Sequence, residues 1–250
     1  MRRSITDLLL KTLLYVYLPF AVLACAFAYL QTVAPDPIIE PPASTAALEP
    51  VQEPQRSDRV DRPTSEPYTG SLSIFEDPNR DQKLQVNRIM DLLGIKEGSN
   101  VADIGAGSGW FSVRAAKRVG TRGTVFAVEI NNEYVKHIEK RSKDENLPNI
   151  RTILGKEDDP LLPQKIVDAV LLLKTYHEIR EPVRLLKRTR EAMRPGALLG
   201  IIDRNGNGED HGIDQQVVIS EAERAGFAFV EQHDFVKADD VHYFLIFRAR

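Results

Sequence analysis

Asn100-Val101-Ala102-Asp103-Ile104-Gly105-Ala106-Gly107-Ser108-Gly109, followed by Trp110-Phe111, is the stretch that decides the fold. Its apolar start suits a strand, its middle is a glycine-rich turn, and residues 110–119 beyond it suit a helix. Glycines at alternate positions let the backbone turn tightly, and no Cβ blocks a ligand lying against the loop. The first amides of the following helix point toward the same place. A second apolar run, Thr124-Val125-Phe126-Ala127-Val128, ends in Glu129. An acid about 20 residues beyond such a turn accepts hydrogen bonds from the two hydroxyls of a ribose. Turn and acid together read as a site for a nucleoside-bearing cofactor.

Working outward, strands and helices alternate. Strands are expected at 100–104, 124–129, 150–154, 167–173 and 197–202, with helices at 109–119, 132–145 and 181–193 between them. Strands that are apolar almost throughout, with helices in the gaps, indicate a parallel sheet covered on both faces. Pro195-Gly196 marks the turn into the strand at 197–202. A helix at about 214–225 and strands near 228–234 and 241–248 close the chain, the last two suiting a hairpin at one sheet edge. Upstream, Leu84, Val86, Ile89, Met90, Leu92 and Leu93 have helical spacing, so one helix is expected over 82–93, ended by Gly94.

The N-terminal part is of a different kind. Arg2, Arg3 and Lys11 precede a stretch without charge from Thr12 to Ala34. Its apolar core, 13–30, is near the roughly 20 residues a membrane helix needs. A single-pass membrane anchor over 1–34 is therefore expected, with Tyr15, Tyr17 and Tyr29 at the interfaces. The same residues also suit a cleaved signal ending at Ala26-Phe27-Ala28, or a lipidated Cys25 after Val22-Leu23-Ala24. Residues 35–69 are rich in Pro, Glu, Ser and Ala, a composition that cannot bury enough apolar area to offset chain entropy. They read as a disordered tether, which leaves 70–250 as the folded domain. The early positive charges favour a cytoplasmic N-terminus with the domain on the other side of the membrane, whereas a cofactor made in the cytoplasm favours the cytoplasmic side, so the side is left open.

From about residue 76 to 250 the chain resembles the class I S-adenosylmethionine-dependent methyltransferases. Val101-Ala102-Asp103-Ile104-Gly105-Ala106-Gly107-Ser108-Gly109-Trp110-Phe111 looks like that superfamily's first motif, with Asp103 at the acid two residues before the first glycine. The resemblance implies a doubly wound α/β fold with a seven-stranded, mostly parallel, Rossmann-like sheet whose last strand is antiparallel. It implies S-adenosylmethionine as cofactor. Asp103 would hold the methionine amino group, and Gly105, Ala106, Gly107 and Gly109 would let the cofactor lie against the loop. Glu129, with Ile130 beside it, would meet the ribose. In Gly155-Lys156-Glu157-Asp158-Asp159-Pro160-Leu161-Leu162-Pro163, Asp158 or Asp159 matches the acid that contacts the adenine amino group. A dinucleotide is disfavoured, because its fingerprint wants a third glycine where this chain has Trp110.

Ligands of open parallel sheets bind beyond the carboxyl ends of the strands. Leu173-Lys174-Thr175-Tyr176-His177-Glu178 ends the strand at 167–173, so Lys174 is grouped with the cofactor contacts and Tyr176, His177 and Glu178 become the catalytic candidates. His177 suits a general base, with Glu178 orienting it or binding a cationic substrate. A purely structural histidine at a strand end is the alternative, since methyl transfer often needs only positioning and desolvation. Asp203 and Arg204 end the strand at 197–202 on the same edge. Arg80, in the segment before the helix at 82–93, suits a lid that turns the arginine toward a carboxylate.

Composition removes several functions. A net charge of -3 gives no electrostatic case for nucleic acid. Cys25 is the single cysteine, so no internal disulfide or cysteine-rich metal site is possible. No metal is expected, because Asp210 and His211 are not at the helical spacing of a His-Glu-x-x-His site. The expected partner is a small-molecule methyl acceptor. Two rival functions remain at this point: a methyltransferase fold acting as a non-catalytic binding module, and an NAD(P)-dependent oxidoreductase.

Overall fold

The computed structural model describes residue 58 and residues 60–250. The expected anchor or signal over 1–34, and the tether as far as residue 57, lie outside the described residues. No helix among the described residues is long and apolar enough to cross a membrane.

Seven strands form one sheet: β1 (Asn100–Ile104), β2 (Thr124–Glu129), β3 (Ile150–Leu154), β4 (Val167–Leu173), β5 (Met193–Asp203), β6 (Phe227–His233) and β7 (Tyr243–Ala249). Their order is β3-β2-β1-β4-β5-β7-β6. The first five run parallel, and β7 is antiparallel to both β5 and β6. This is the expected doubly wound α/β sheet. The order reverses between β1 and β4, which opens a crevice at the carboxyl end of β1.

Burial explains the pattern. Successive strand residues point to opposite faces. On β4, Ala169 and Leu171 join a core with Val101, Val113 and Ala116, while Val170 and Leu172 join a second core with Val183, Leu186 and Val218. The first core lies under α1 (Arg80–Leu84), α2 (Val86–Leu92), α3 (Trp110–Val119) and α4 (Asn132–Asp144). The second lies under α5 (Pro182–Ala192) and α6 (Gln215–Arg224).

Three local expectations are corrected. The helix expected over 82–93 is two helices, broken at Gln85 in the left-handed region (φ 50°). Leu84 and Val86 are both buried, and residues two apart on a continuous helix do not share a face. The break lets both reach the core. The last parallel strand begins at Met193, not 197. Met193 pairs with Val167 and Leu198 with Ala169, so the extra residues around Pro195-Gly196 bulge out within the strand.

The third correction concerns the tether. Residues 60–69 were expected in it, yet they dock on the domain. Arg62 Nε lies 2.8 Å from Glu221 Oε1, Ser65 N donates to the His177 carbonyl at 3.2 Å, and Ser65 Oγ donates to the Gly208 carbonyl at 2.8 Å. Apart from Val60, which packs against the core, these contacts are hydrogen bonds and an ion pair, so hydropathy did not signal them.

Candidate active site

A cavity of about 340 Å³ lies at the carboxyl ends of β1, β2 and β4. Its size falls in the range of small-molecule sites, about 300–1,000 Å³. Asp103 is on its wall, 2 % exposed, and its carboxylate accepts from Ser112 Oγ of α3 at 2.6 Å. Burial pushes its pKa up to about 7. The Ser112 hydrogen bond opposes that shift and the nearby Glu129 charge adds to it.

The glycine loop carries the next wall. Gly107 has φ +56°, and a Cβ there would come within 3.4 Å of the Phe75 ring. Its N–H donates to Glu129 Oε1 at 2.6 Å, while Glu129 Oε2 accepts from Ile130 N at 3.1 Å. Burial raises the Glu129 pKa against these backbone donors, the Gly107 N–H first. Gly105, Ala106 and Ile130 line the same space. Lys174 lines it from the end of β4, with Nζ donating to the Asp239 carbonyl at 2.7 Å.

A covering segment, 67–80, was not fully legible in the sequence. Tyr68 and Phe75 line the cavity and meet edge to face, with ring centroids 5.5 Å apart. Glu76 fastens the segment down, accepting from Arg141 Nη1 at 2.6 Å and from Ser108 Oγ at 2.5 Å. Arg80 also lines the cavity, 4.6 Å above the Trp110 ring, but the carboxylate it holds is Asp239, at 3.2 Å. The signal available beforehand was two aromatics, Tyr68 and Phe75, just past a proline-rich stretch.

Several expected contacts lie elsewhere. Gly109 (φ +75°) starts α3, and a Cβ on it would meet Ile138 at 3.2 Å, so it serves helix packing and does not line the cavity. The turn after β3 closes on itself through Lys156 N donating to the Asp159 carbonyl at 2.8 Å. That geometry brings Asp158 to 3.1 Å from Arg184 and leaves Lys156, Glu157 and Pro160 on the cavity wall. Tyr176, His177 and Glu178 form one 3₁₀ turn, in which successive side chains fan out about 120° apart. Only Glu178 faces the cavity. Tyr176 is fully buried, with its hydroxyl donating to Glu221 Oε2 at 2.9 Å. His177 Nδ1 sits 2.8 Å from Asp203 Oδ1, and Asp203 is itself fully buried. Burial pushes Glu178 up to about 7, opposed by His177.

Comparison with known proteins agrees with the sheet. Residues 101–196 match the family model described as methyltransferase domain. The chain is 28 % identical over 99 residues to a probable cobalt-precorrin-6B C(15)-methyltransferase of Methanosarcina mazei, covering 40 % of this chain and 52 % of that one. It is 24 % identical over 114 residues to a demethylmenaquinone methyltransferase of Listeria welshimeri, covering 46 % and 48 %. The chain thus spans about half the length of these curated relatives. An S-adenosylmethionine-dependent methyltransferase structure from Aquifex aeolicus superposes with a TM-score of 0.66 at 24 % identity, over 72 % of this chain and 97 % of that one, which fixes the fold.

Proposed function

We propose that the chain is a class I S-adenosylmethionine-dependent methyltransferase and that it transfers a methyl group from S-adenosylmethionine to a small acceptor, a reading supported by the methyltransferase-domain match over residues 101–196 and the shared fold. One observation carries the reading. Two buried acids, Asp103 and Glu129, line one cavity of about 340 Å³, and Glu129 also holds the Gly107 amide of the glycine loop.

The residues present fit the cofactor. Asp103 takes the methionine ammonium, a cation that offsets the cost of keeping a buried carboxylate charged. Glu129 takes the ribose hydroxyls: an ionised carboxylate offers about four acceptor positions, so it can keep the Gly107 N–H as well. Ala106 and Ile130 supply apolar surface. The bound cofactor supplies a sulfonium methyl, whose carbon passes in line to the acceptor. Tyr68 and Phe75 cover the cavity and exclude water, and desolvation favours a reaction in which positive charge is lost. Glu178 is the expected catalytic residue that reaches the cavity, and it marks the acceptor side. Tyr176 and His177 act behind it, through Glu221 and Asp203.

Calorimetric titration of the full chain with S-adenosylhomocysteine tests the binding half. Saturable binding, absent with NAD, is expected, together with a ligand-dependent rise in melting temperature. Binding of NAD in place of S-adenosylhomocysteine would overturn the reading. Formation of S-adenosylhomocysteine from the methyl donor in the presence of an acceptor separates an enzyme from a binding module.

The second part of the proposal is attachment to a membrane through residues 1–34. Their uncharged stretch from Thr12 to Ala34 supports it. The full chain should stay with the membrane fraction through an alkaline carbonate wash and be released by detergent; release by carbonate alone would refute an anchor.

A further inference from the structure

We propose that His177, Glu178 and His211 form a binding site for one divalent first-row transition-metal ion at the edge of the cavity. The three side chains come from two separate places in the sequence, and their donor atoms all lie within 4.8 Å of one another. His177 Nε2 is 3.8 Å from Glu178 Oε1, and the His177 and His211 rings meet edge to face with centroids 5.7 Å apart.

The surroundings prepare His177 as a ligand. Asp203 accepts from the backbone N–H of His177 at 3.1 Å and lies 2.8 Å from Nδ1. A carboxylate on Nδ1 places the ring proton there and leaves the Nε2 lone pair free, facing Glu178 and His211. This carboxylate–histidine arrangement is the common outer support of a metal-bound imidazole. Arg204 N also donates to Asp203 Oδ1, at 2.9 Å, which holds the carboxylate in place.

His211 is held by its loop and by the docked segment that carries Ser65. Its N–H donates to Ser65 Oγ at 3.1 Å, and Gly208 N donates to the Gly212 carbonyl at 2.8 Å. The residue has φ +56°, in the left-handed region that non-glycine residues rarely adopt. Zinc bonds of about 2.0–2.1 Å set tetrahedral ligand atoms roughly 3.3 Å apart. The His177–Glu178 pair is close to that spacing, and the remaining contraction falls on His211, the exposed member of the set.

Donor chemistry selects the ion. Two imidazoles and one carboxylate suit zinc, cobalt or iron(II), whereas magnesium and calcium want oxygen ligands. Three protein ligands leave a coordination position for water or for an oxygen of the methyl acceptor, and Glu178 puts that position at the cavity wall. Only this last step rests on the methyl-transfer reading.

The test uses the full chain, freed of metal by a chelator and titrated with Co²⁺. One Co²⁺ per chain should bind, give visible d–d absorption and be displaced by Zn²⁺ but not by Mg²⁺. His211→Ala lies on an exposed loop and should weaken Co²⁺ binding by at least about 100-fold, since outer-shell changes alone cost roughly 10–100-fold. His137→Ala, on an exposed face of α4, should leave it unchanged. Asp203→Asn should weaken it by about 10–100-fold, because the amide no longer fixes the tautomer. Absent binding, displacement by Mg²⁺, or equal affinity in His211→Ala would overturn the site. S-adenosylhomocysteine binding, measured on the same samples, tells failure of the ion site from failure of the cofactor cavity.

Discussion

Glu129→Ala is expected to weaken S-adenosylhomocysteine binding by roughly 10–150-fold, the span that corresponds to about 1.5–3 kcal/mol for hydrogen bonds to a charged group. The side chain sits 8 % exposed at the end of β2 and already accepts the Gly107 and Ile130 N–H groups. Removing it leaves the Gly107 amide without its acceptor as well as the ribose, so a simple loss of affinity would not separate the two roles. An analogue lacking both ribose hydroxyls does. Against the unaltered chain the dideoxy analogue should lose most of the affinity that Glu129 provides. Against Glu129→Ala it should lose little more, because the two changes remove the same contact and cannot add. Glu129→Gln should behave almost as badly as alanine, since half of the amide presents donors to groups that are themselves donors. Full additivity of the side-chain and ligand changes would show that Glu129 supports the loop and does not touch the ribose.

The middle of the sheet was legible in the sequence because β1, β2 and β4 are buried on both faces. Val167–Leu173 has one polar side chain, Asp168, in seven residues, and the observed β1 to β4 match the runs read from hydropathy. What escaped reading had local causes. The break at Gln85 follows from two buried neighbours, Leu84 and Val86, that no single helix face accommodates. The bulge at Pro195-Gly196 looks in sequence like an ordinary turn into a strand. In the site, the glycine loop and the acid at 129 were legible because each is read from the local order of residues. The roles of Gly109, Asp158 and Tyr176 depend on Ile138, Arg184 and Glu221, which approach only through the fold. His211 is the clearest case: it meets His177 across the loop that follows β5, and helical ligand spacing therefore could not reveal it.

Asp103 leads to the second large effect, a cofactor affinity that depends on pH. Its carboxyl is pushed from 3.8 up to about 7, mainly by burial. The groups around it are Ser112 from α3, Glu129 from β2 and Arg80 from α1, of which only Glu129 adds to the rise. The folded state therefore holds this proton more tightly than the unfolded chain. Without ligand, Asp103's contribution to stability falls as pH rises from about 4 to about 7, and the whole penalty is in place above that. An ammonium group beside Asp103 favours the carboxylate and reverses the preference. Binding of S-adenosylhomocysteine should then release a proton near neutral pH. Affinity should climb with pH, by up to about tenfold per unit below the pKa, and level off above it. Titration calorimetry in two buffers of different ionisation enthalpy, between about pH 6 and pH 8, reads both the affinity and the proton count. Asp103→Asn should abolish most of the slope and bind weakly at every pH, with any residual slope assigned to Glu129. An unaltered chain whose affinity is flat across that range, or an asparagine variant that keeps the full slope, would remove Asp103 from the ammonium contact.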